Sequence, residues 1–122
     1  MKVFISACKG NSNDKKNTDM LFKTLKMLGF NDVTYVEGCY KGQVEDSFMV
    51  KLDGSIDDGF MKLIELGEQF DQESIMLVNK DDNAQIVYMN GSIESIGKPK
   101  EVNSIEGLDA YSRIDGKYYS VV

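Results

Sequence analysis

The sequence predicts an α+β fold: a ferredoxin-like βαββαβ antiparallel sheet with two helices on one face and additional C-terminal strands. Three observations carry this. Apolar residues recur at helical spacing around Leu21–Leu28 and again around Phe60–Phe70. Short runs rich in β-branched and aromatic residues, bounded by turn formers, lie between and around these stretches. Taken in order the elements read β-α-β-β-α-β and then further strands, with no repeat or linker across 122 residues. A single domain over residues 1–122 is expected, and a chain of this length buries a core without staples.

Lys2-Val3-Phe4-Ile5-Ser6-Ala7-Cys8 is a mostly apolar run of the kind found in a central strand. It breaks into a polar loop, Lys9 to Asp14. Asn17, Thr18 or Asp19 can cap the helix that follows; Leu21, Leu25 and Leu28 form its stripe, and Gly29 stops it. Val33–Tyr40 and Val44–Leu52 then read as a hairpin around a Lys41-Gly42-Gln43 turn. On its second strand Val44, Phe48, Val50 and Leu52 share one face, while Glu45, Ser47 and Lys51 take the other. Pairing Tyr40 with Glu45 sets Gly38 against Ser47 and Val36 against Met49. A phenol, a carboxylate and a hydroxyl would then gather beside a glycine, as a candidate pocket floor.

Ser55 is a good N-cap for a second helix, with Asp57 and Asp58 in its first turn and Phe60, Leu63, Ile64, Gly67 and Phe70 on its buried face. Ser74–Val78 and Ala84–Met89 are strands joined by a Lys80–Asn83 turn, and Asn90-Gly91 signals a tight turn. Beyond Pro99 the tail reads as a hairpin, Ala110–Ile114 and Lys117–Val122, turning at Asp115-Gly116. Seven methionines and several apolar strand residues would leave the sheet face away from the helices partly apolar, which predicts self-association.

Composition bounds the function. A net charge of −6 with one arginine, Arg113, argues against a nucleic-acid surface. No apolar run approaches the roughly 18 residues of a membrane span, and Lys9, Asn11, Asn13 and Asp14 interrupt any signal-peptide core, so a cytoplasmic location is expected. Cys8 and Cys39 have neither disulfide nor metal-ligand spacing and read as buried thiols. With no histidine, chemistry here falls to carboxylates, tyrosines, lysines and groups of the substrate itself. Neither a cofactor nor a metal is expected, since no Gly-rich phosphate motif or Cys/His constellation is present.

Several stretches, VFISA at residues 3–7, GCYK at 38–41, EDSFMV at 45–50, FDQESIMLV at 70–78 and IDGKYYSV at 114–121, together resemble the small bacteriophage S-adenosylmethionine lyases, also called hydrolases. The resemblance implies degradation of S-adenosylmethionine, a phage counter-defence against methyl-dependent host restriction. It maps the family's two main catalytic positions onto Tyr40 and Glu45. It makes Gln72, Glu73, Ser6, Ala7 and Ser47 substrate-binding candidates, and implies a homotrimer with sites between subunits. In the implied reaction the substrate's own carboxylate attacks its γ-carbon, giving homoserine lactone and 5′-methylthioadenosine without a metal. Acidic residues would attract the sulfonium and ammonium, and a tyrosine ring can pack on a sulfonium.

Two other readings fit the same element order. One is a non-catalytic ferredoxin-like module that binds a nucleotide or inhibits a host protein; the Tyr40, Glu45 and Glu73 set favours the enzyme over it. The other, an RNA-binding domain, lacks adjacent strand aromatics flanked by basic residues.

Overall fold

The computed structural model describes residues 1–40, 42–52, 58–108 and 110–121, with backbone only for Tyr40, Asp58 and Val121. Its elements run β1 (Lys2–Ser6), α1 (Asp14–Met27), β2 (Val33–Tyr40), β3 (Gln43–Lys51), α2 (Asp58–Gln69), β4 (Ser74–Val78), β5 (Ala84–Tyr88), β6 (Ile93–Gly97), β7 (Pro99–Val102), β8 (Tyr111–Ile114) and β9 (Lys117–Val121). Among the described residues no helix is long and apolar enough to cross a membrane.

The expected ferredoxin-like fold is not what forms. Among the described residues all nine strands join one antiparallel sheet, in the order β6-β5-β4-β1-β3-β2-β8-β9-β7. Its two edge strands, β6 and β7, are separated in sequence by Lys98 alone. A flat sheet would hold them roughly 38 Å apart, at about 4.8 Å per strand, whereas two peptide steps reach only about 7.6 Å. The sheet therefore curls until its edges meet, giving a nearly closed, barrel-like wall. Sequence reading missed β6 and β7 because neither alternates: Ile93-Glu94-Ser95-Ile96-Gly97 is largely exposed along its length.

Both helices pack on one face of the central strands. Val3, Ile5, Phe48, Val50, Ile75, Leu77 and Val87 meet Leu21, Leu25, Phe60, Leu63 and Leu66 in a single core. Burying each large side chain here is worth about 1.5–3 kcal/mol. The helix faces follow the predicted stripes, except that Leu28 is exposed. Helix α1 starts earlier than expected, at Asp14, with Asn13 at the N-cap position. Thr18 is instead buried beside the Cys8 thiol. At the other end the amides of Gly29 and Phe30 bond back to the carbonyls of Lys26 and Leu25, closing the helix in a Schellman turn. The Ser55 cap and Asp57 lie outside the described residues.

The opposite sheet face does not wait for a partner chain, contrary to expectation. Val36, Met49, Val78 and Ile86 on that face are all buried within this one chain, because the curl folds the face inward. The hairpin register also differs. Tyr40 pairs with Gln43, Gly38 with Glu45 and Val36 with Ser47, two residues off the predicted pairing. The strands are joined by two residues rather than three, and a shift of two leaves every side chain on its predicted face.

Closure depends on the end of β6. Ala84 pairs with Gly97 but Gln85 with Ser95, so Ile96 is an extra residue in a bulge, and Gly97 takes φ +101° as the chain crosses to β7. A β-branched side chain is strained at such a φ. Gly97→Val is expected to lower the unfolding free energy by about 1–3 kcal/mol in urea titrations. Wild-type stability in that variant would contradict the role given to the crossing.

Candidate active site

The curl encloses a hollow. A cavity of about 580 Å³ is lined by Phe4 and Ser6 of β1, Val36 and Gly38 of β2, Glu45 and Ser47 of β3, Met76 of β4, Ile86 of β5 and Ser112 of β8. In a flat sheet β5 and β8 would be roughly 24 Å apart; here they face one space. A second hollow of about 640 Å³ shares Phe4, Cys39, Met76, Ile86, Tyr111 and Ser112 with the first, so the two form one continuous trough. Each half carries three carboxylates, Glu45, Asp71 and Glu73 in the first and Asp82, Glu94 and Asp115 in the far half, where Lys2 and Lys51 and the tail hairpin also line the wall.

Strand register arranges the floor. Ser6 pairs with Ser47, and Ser47 with Val36, in one row across three strands. In the next row Glu45 pairs with Gly38, and Gly38 with Ser112. Gly38 keeps this floor low, because a Cβ there would stand 3.4 Å from Ser47 Oγ. The space above Glu45 thus exists because one cross-strand partner has no side chain.

Two loops build the rim. The β1–α1 loop is pinned by Asp14, whose carboxylate accepts the backbone N–H groups of Lys9 at 2.8 Å and Gly10 at 2.9 Å. Those bonds, Lys9's first, hold the Asp14 carboxyl below the usual carboxylate range. The Cys8 amide donates to Ser6 Oγ at 3.0 Å. From the α2–β4 loop, Gln72 Nε2 donates to the carbonyls of Cys8 at 3.1 Å and Phe70 at 3.3 Å. Lys9 Nζ and Asp71 Oδ2 add an ion pair of 2.7 Å between the same two loops.

Glu45 is the electrostatically unusual floor residue. Burial raises its pKa and the charge of Asp14 adds to this, while the Ser6 hydroxyl opposes both. Ser6 Oγ has one proton and two acceptors in reach, the Asp46 carbonyl at 3.0 Å and the Glu45 carboxylate. Burial thus holds the carboxylate short of solvation, a state that favours a cationic ligand.

Of the expected site residues, Ser6, Glu45, Ser47, Gln72 and Glu73 all line this one cavity. Ala7 does not: it is 1% exposed and belongs to the core under the helices. Alternation from Val3 through Ile5 would have placed it there. Tyr40 sits two residues beyond Gly38 on β2, and its side chain lies outside the description. Lys9, Asp71, Tyr111 and Ser112 also line the cavity and were not singled out from sequence. No group of three or more His, Cys, Asp or Glu side chains among the described residues is arranged to hold a metal ion.

The raised pKa of Glu45 has a stability consequence. A group whose folded pKa exceeds its unfolded value of about 4.3 adds stability below that value and loses it as pH rises through the folded pKa. Ionising Glu45 in the folded chain therefore costs stability. Glu45→Gln is expected to raise Tm at pH 7 and to match the wild type below about pH 4. A lower Tm at pH 7 would contradict the burial assigned to this carboxylate.

The acidic, partly enclosed cavity is matched by kinship. The model of the S-Adenosylmethionine lyase family matches residues 3–122, whereas no curated protein matches the chain. With all but its first two residues inside that match, the chain belongs to the S-adenosylmethionine lyase family, and S-adenosylmethionine is its substrate.

Proposed function

We propose that the enzyme cleaves S-adenosylmethionine by intramolecular displacement, releasing homoserine lactone and 5′-methylthioadenosine. The observation that carries this reading is the half-buried Glu45 carboxylate on the floor of an acidic cavity, in a chain without histidine. A carboxylate oxygen of the substrate forms a bond to its own γ-carbon as the carbon–sulfur bond breaks. The electron pair goes to sulfur, the sulfonium becomes a neutral thioether, and no water or proton transfer is needed. Nucleophile and leaving group belong to one molecule, so the protein's task is to hold a folded, near-attack conformer.

Each candidate has a role in that task. Glu45 faces the sulfonium, and Glu73 adds negative charge at the rim. Tyr40, carried over from the family resemblance, packs its ring near the sulfonium, a contact of about 0.5–2 kcal/mol. Ser6 and Ser47 orient polar groups over the floor, and Gln72 holds the two rim loops together. The transition state partly neutralises carboxylate against sulfonium, which an enclosed site favours over the separated charges. Glu45 is a poor candidate for removing a carbon-bound proton, because a substrate cation beside it opposes the rise in pKa that burial gives it.

In the cell this reading makes the enzyme a phage counter-defence that removes the methyl donor of host restriction. It acts in the cytoplasm on a small molecule, without binding nucleic acid. We also assign it a homotrimeric assembly with sites near subunit contacts. Phe22, Tyr35 and Val44, each at least 40% exposed, support this, because Tyr35 and Val44 lie on the hairpin that carries Glu45.

Two measurements test the proposal. In ¹⁸O-water, the first-formed four-carbon product should be unlabelled homoserine lactone, with labelled homoserine appearing only as the lactone hydrolyses. Label in the earliest product, or vinylglycine, would contradict displacement. For the assembly, light scattering should report about three times 13.7 kDa at micromolar concentration; a particle of protomer mass would refute the trimer.

A further inference from the structure

We propose that Lys9 is the residue that takes the substrate's carboxylate, and that Asp71, its present ion-pair partner, takes the α-ammonium; the assignment rests on the S-adenosylmethionine reading of the cavity. Charge counting comes first. Among the described residues that line the first hollow Lys9 is the one lysine or arginine, against three acids, Glu45, Asp71 and Glu73, whereas Lys2 and Lys51 lie in the far half. The substrate presents the complementary set: one carboxylate and two cations.

Other donors at the rim are committed. The amides of Lys9 and Gly10 already give their protons to Asp14. The Cys8 amide gives its proton to Ser6 Oγ, and Gln72 Nε2 is held by two carbonyls. Lys9 Nζ is held differently, by an exposed contact. Its pair with Asp71 has side chains 38% and 72% exposed, and exposed ion pairs open at little cost. The pair also joins two opposite charges at one place on the rim, as the amino-acid end of the substrate does.

Asp71 supplies an independent observation. The Asp71 amide bonds back to the Glu68 carbonyl at 3.0 Å, and the Gln72 amide to the Gly67 carbonyl at 2.8 Å, so α2 ends in a Schellman turn. Asp71 is its left-handed residue, with φ +56°. Helix α1 ends in the same motif with Gly29, the residue type that geometry favours. An aspartate there is conformationally costly and sets a negative charge at the negative end of the helix dipole. Asp82 and Asp115 share the left-handed backbone, so the acidic charge at a helix C-terminus is what sets Asp71 apart, and at a cavity-lining position it points to function rather than folding.

The test uses Lys9→Met, Lys9→Arg and Asp71→Gly, each checked for native circular dichroism. Lys9→Met is expected to raise KM for S-adenosylmethionine by roughly ten- to a hundredfold, the range for losing a charged hydrogen bond. Its affinity for 5′-methylthioadenosine, which has no amino-acid end, should stay unchanged, and Lys9→Arg should restore most of the loss. Asp71→Gly should raise Tm, because glycine suits the turn, while still raising KM. An unchanged KM in Lys9→Met, a parallel loss of methylthioadenosine affinity, or a Tm drop in Asp71→Gly with normal KM would overturn the assignment. The assignment can fail separately from the lyase reading. Even without turnover, calorimetry with S-adenosylhomocysteine must show tighter binding than methylthioadenosine, by a margin that Lys9→Met abolishes; equal binding overturns it.

Discussion

The crossing at Gly97-Lys98-Pro99 is the constraint on which the rest of this structure depends. One residue links the two edges of a nine-stranded sheet, and no flat arrangement satisfies that connection. Curling brings β8 and β9 over the face that the helices leave open, and apolar residues such as Val36 and Met49 are buried there. The same curl makes the hollow. A sheet that had stayed open would have needed another chain to cover that face. This one covers it with its own tail hairpin, and keeps the remaining space as a binding cavity.

Within that cavity the division of labour follows from period-two geometry. On β3, Val44, Phe48 and Val50 turn one way while Glu45 and Ser47 turn into the hollow. A carboxylate reaches a half-buried floor without disturbing the core beneath, because the two functions occupy opposite faces of one strand. The cost is electrostatic: burial takes solvation from the Glu45 carboxylate. In the proposed reading the substrate's sulfonium offsets it, so the energetic defect of the free enzyme becomes part of the affinity for the ligand.

How much of this was legible depends on the range of the signal. The hairpin and the inward faces of Glu45 and Ser47 rest on alternation over a few residues, and survive even a register error of two. Lys9 and Asp71 stand 62 residues apart and meet only through the tertiary fold, so no spacing rule brings them together. Ala7 was placed by resemblance where alternation from Val3 and Ile5 already pointed to the core. The ferredoxin-like reading failed for a similar reason. The βαββαβ order was present, but the architecture was decided by β6 and β7, whose exposed, non-alternating residues carry little strand signal.

The central claim is that a desolvated Glu45 awaits the substrate's sulfonium. It is tested most directly by following the Glu45 carboxyl carbon through a pH titration, using ¹³C-labelled glutamate and nuclear magnetic resonance. Decarboxylated S-adenosylmethionine is the suitable ligand, since it keeps the sulfonium and the ammonium but lacks the nucleophile for cyclisation. The account predicts a Glu45 pKa above the usual carboxylate range in the free enzyme, falling when the ligand saturates the site. An ordinary pKa in the free enzyme that ligand leaves unmoved would contradict it.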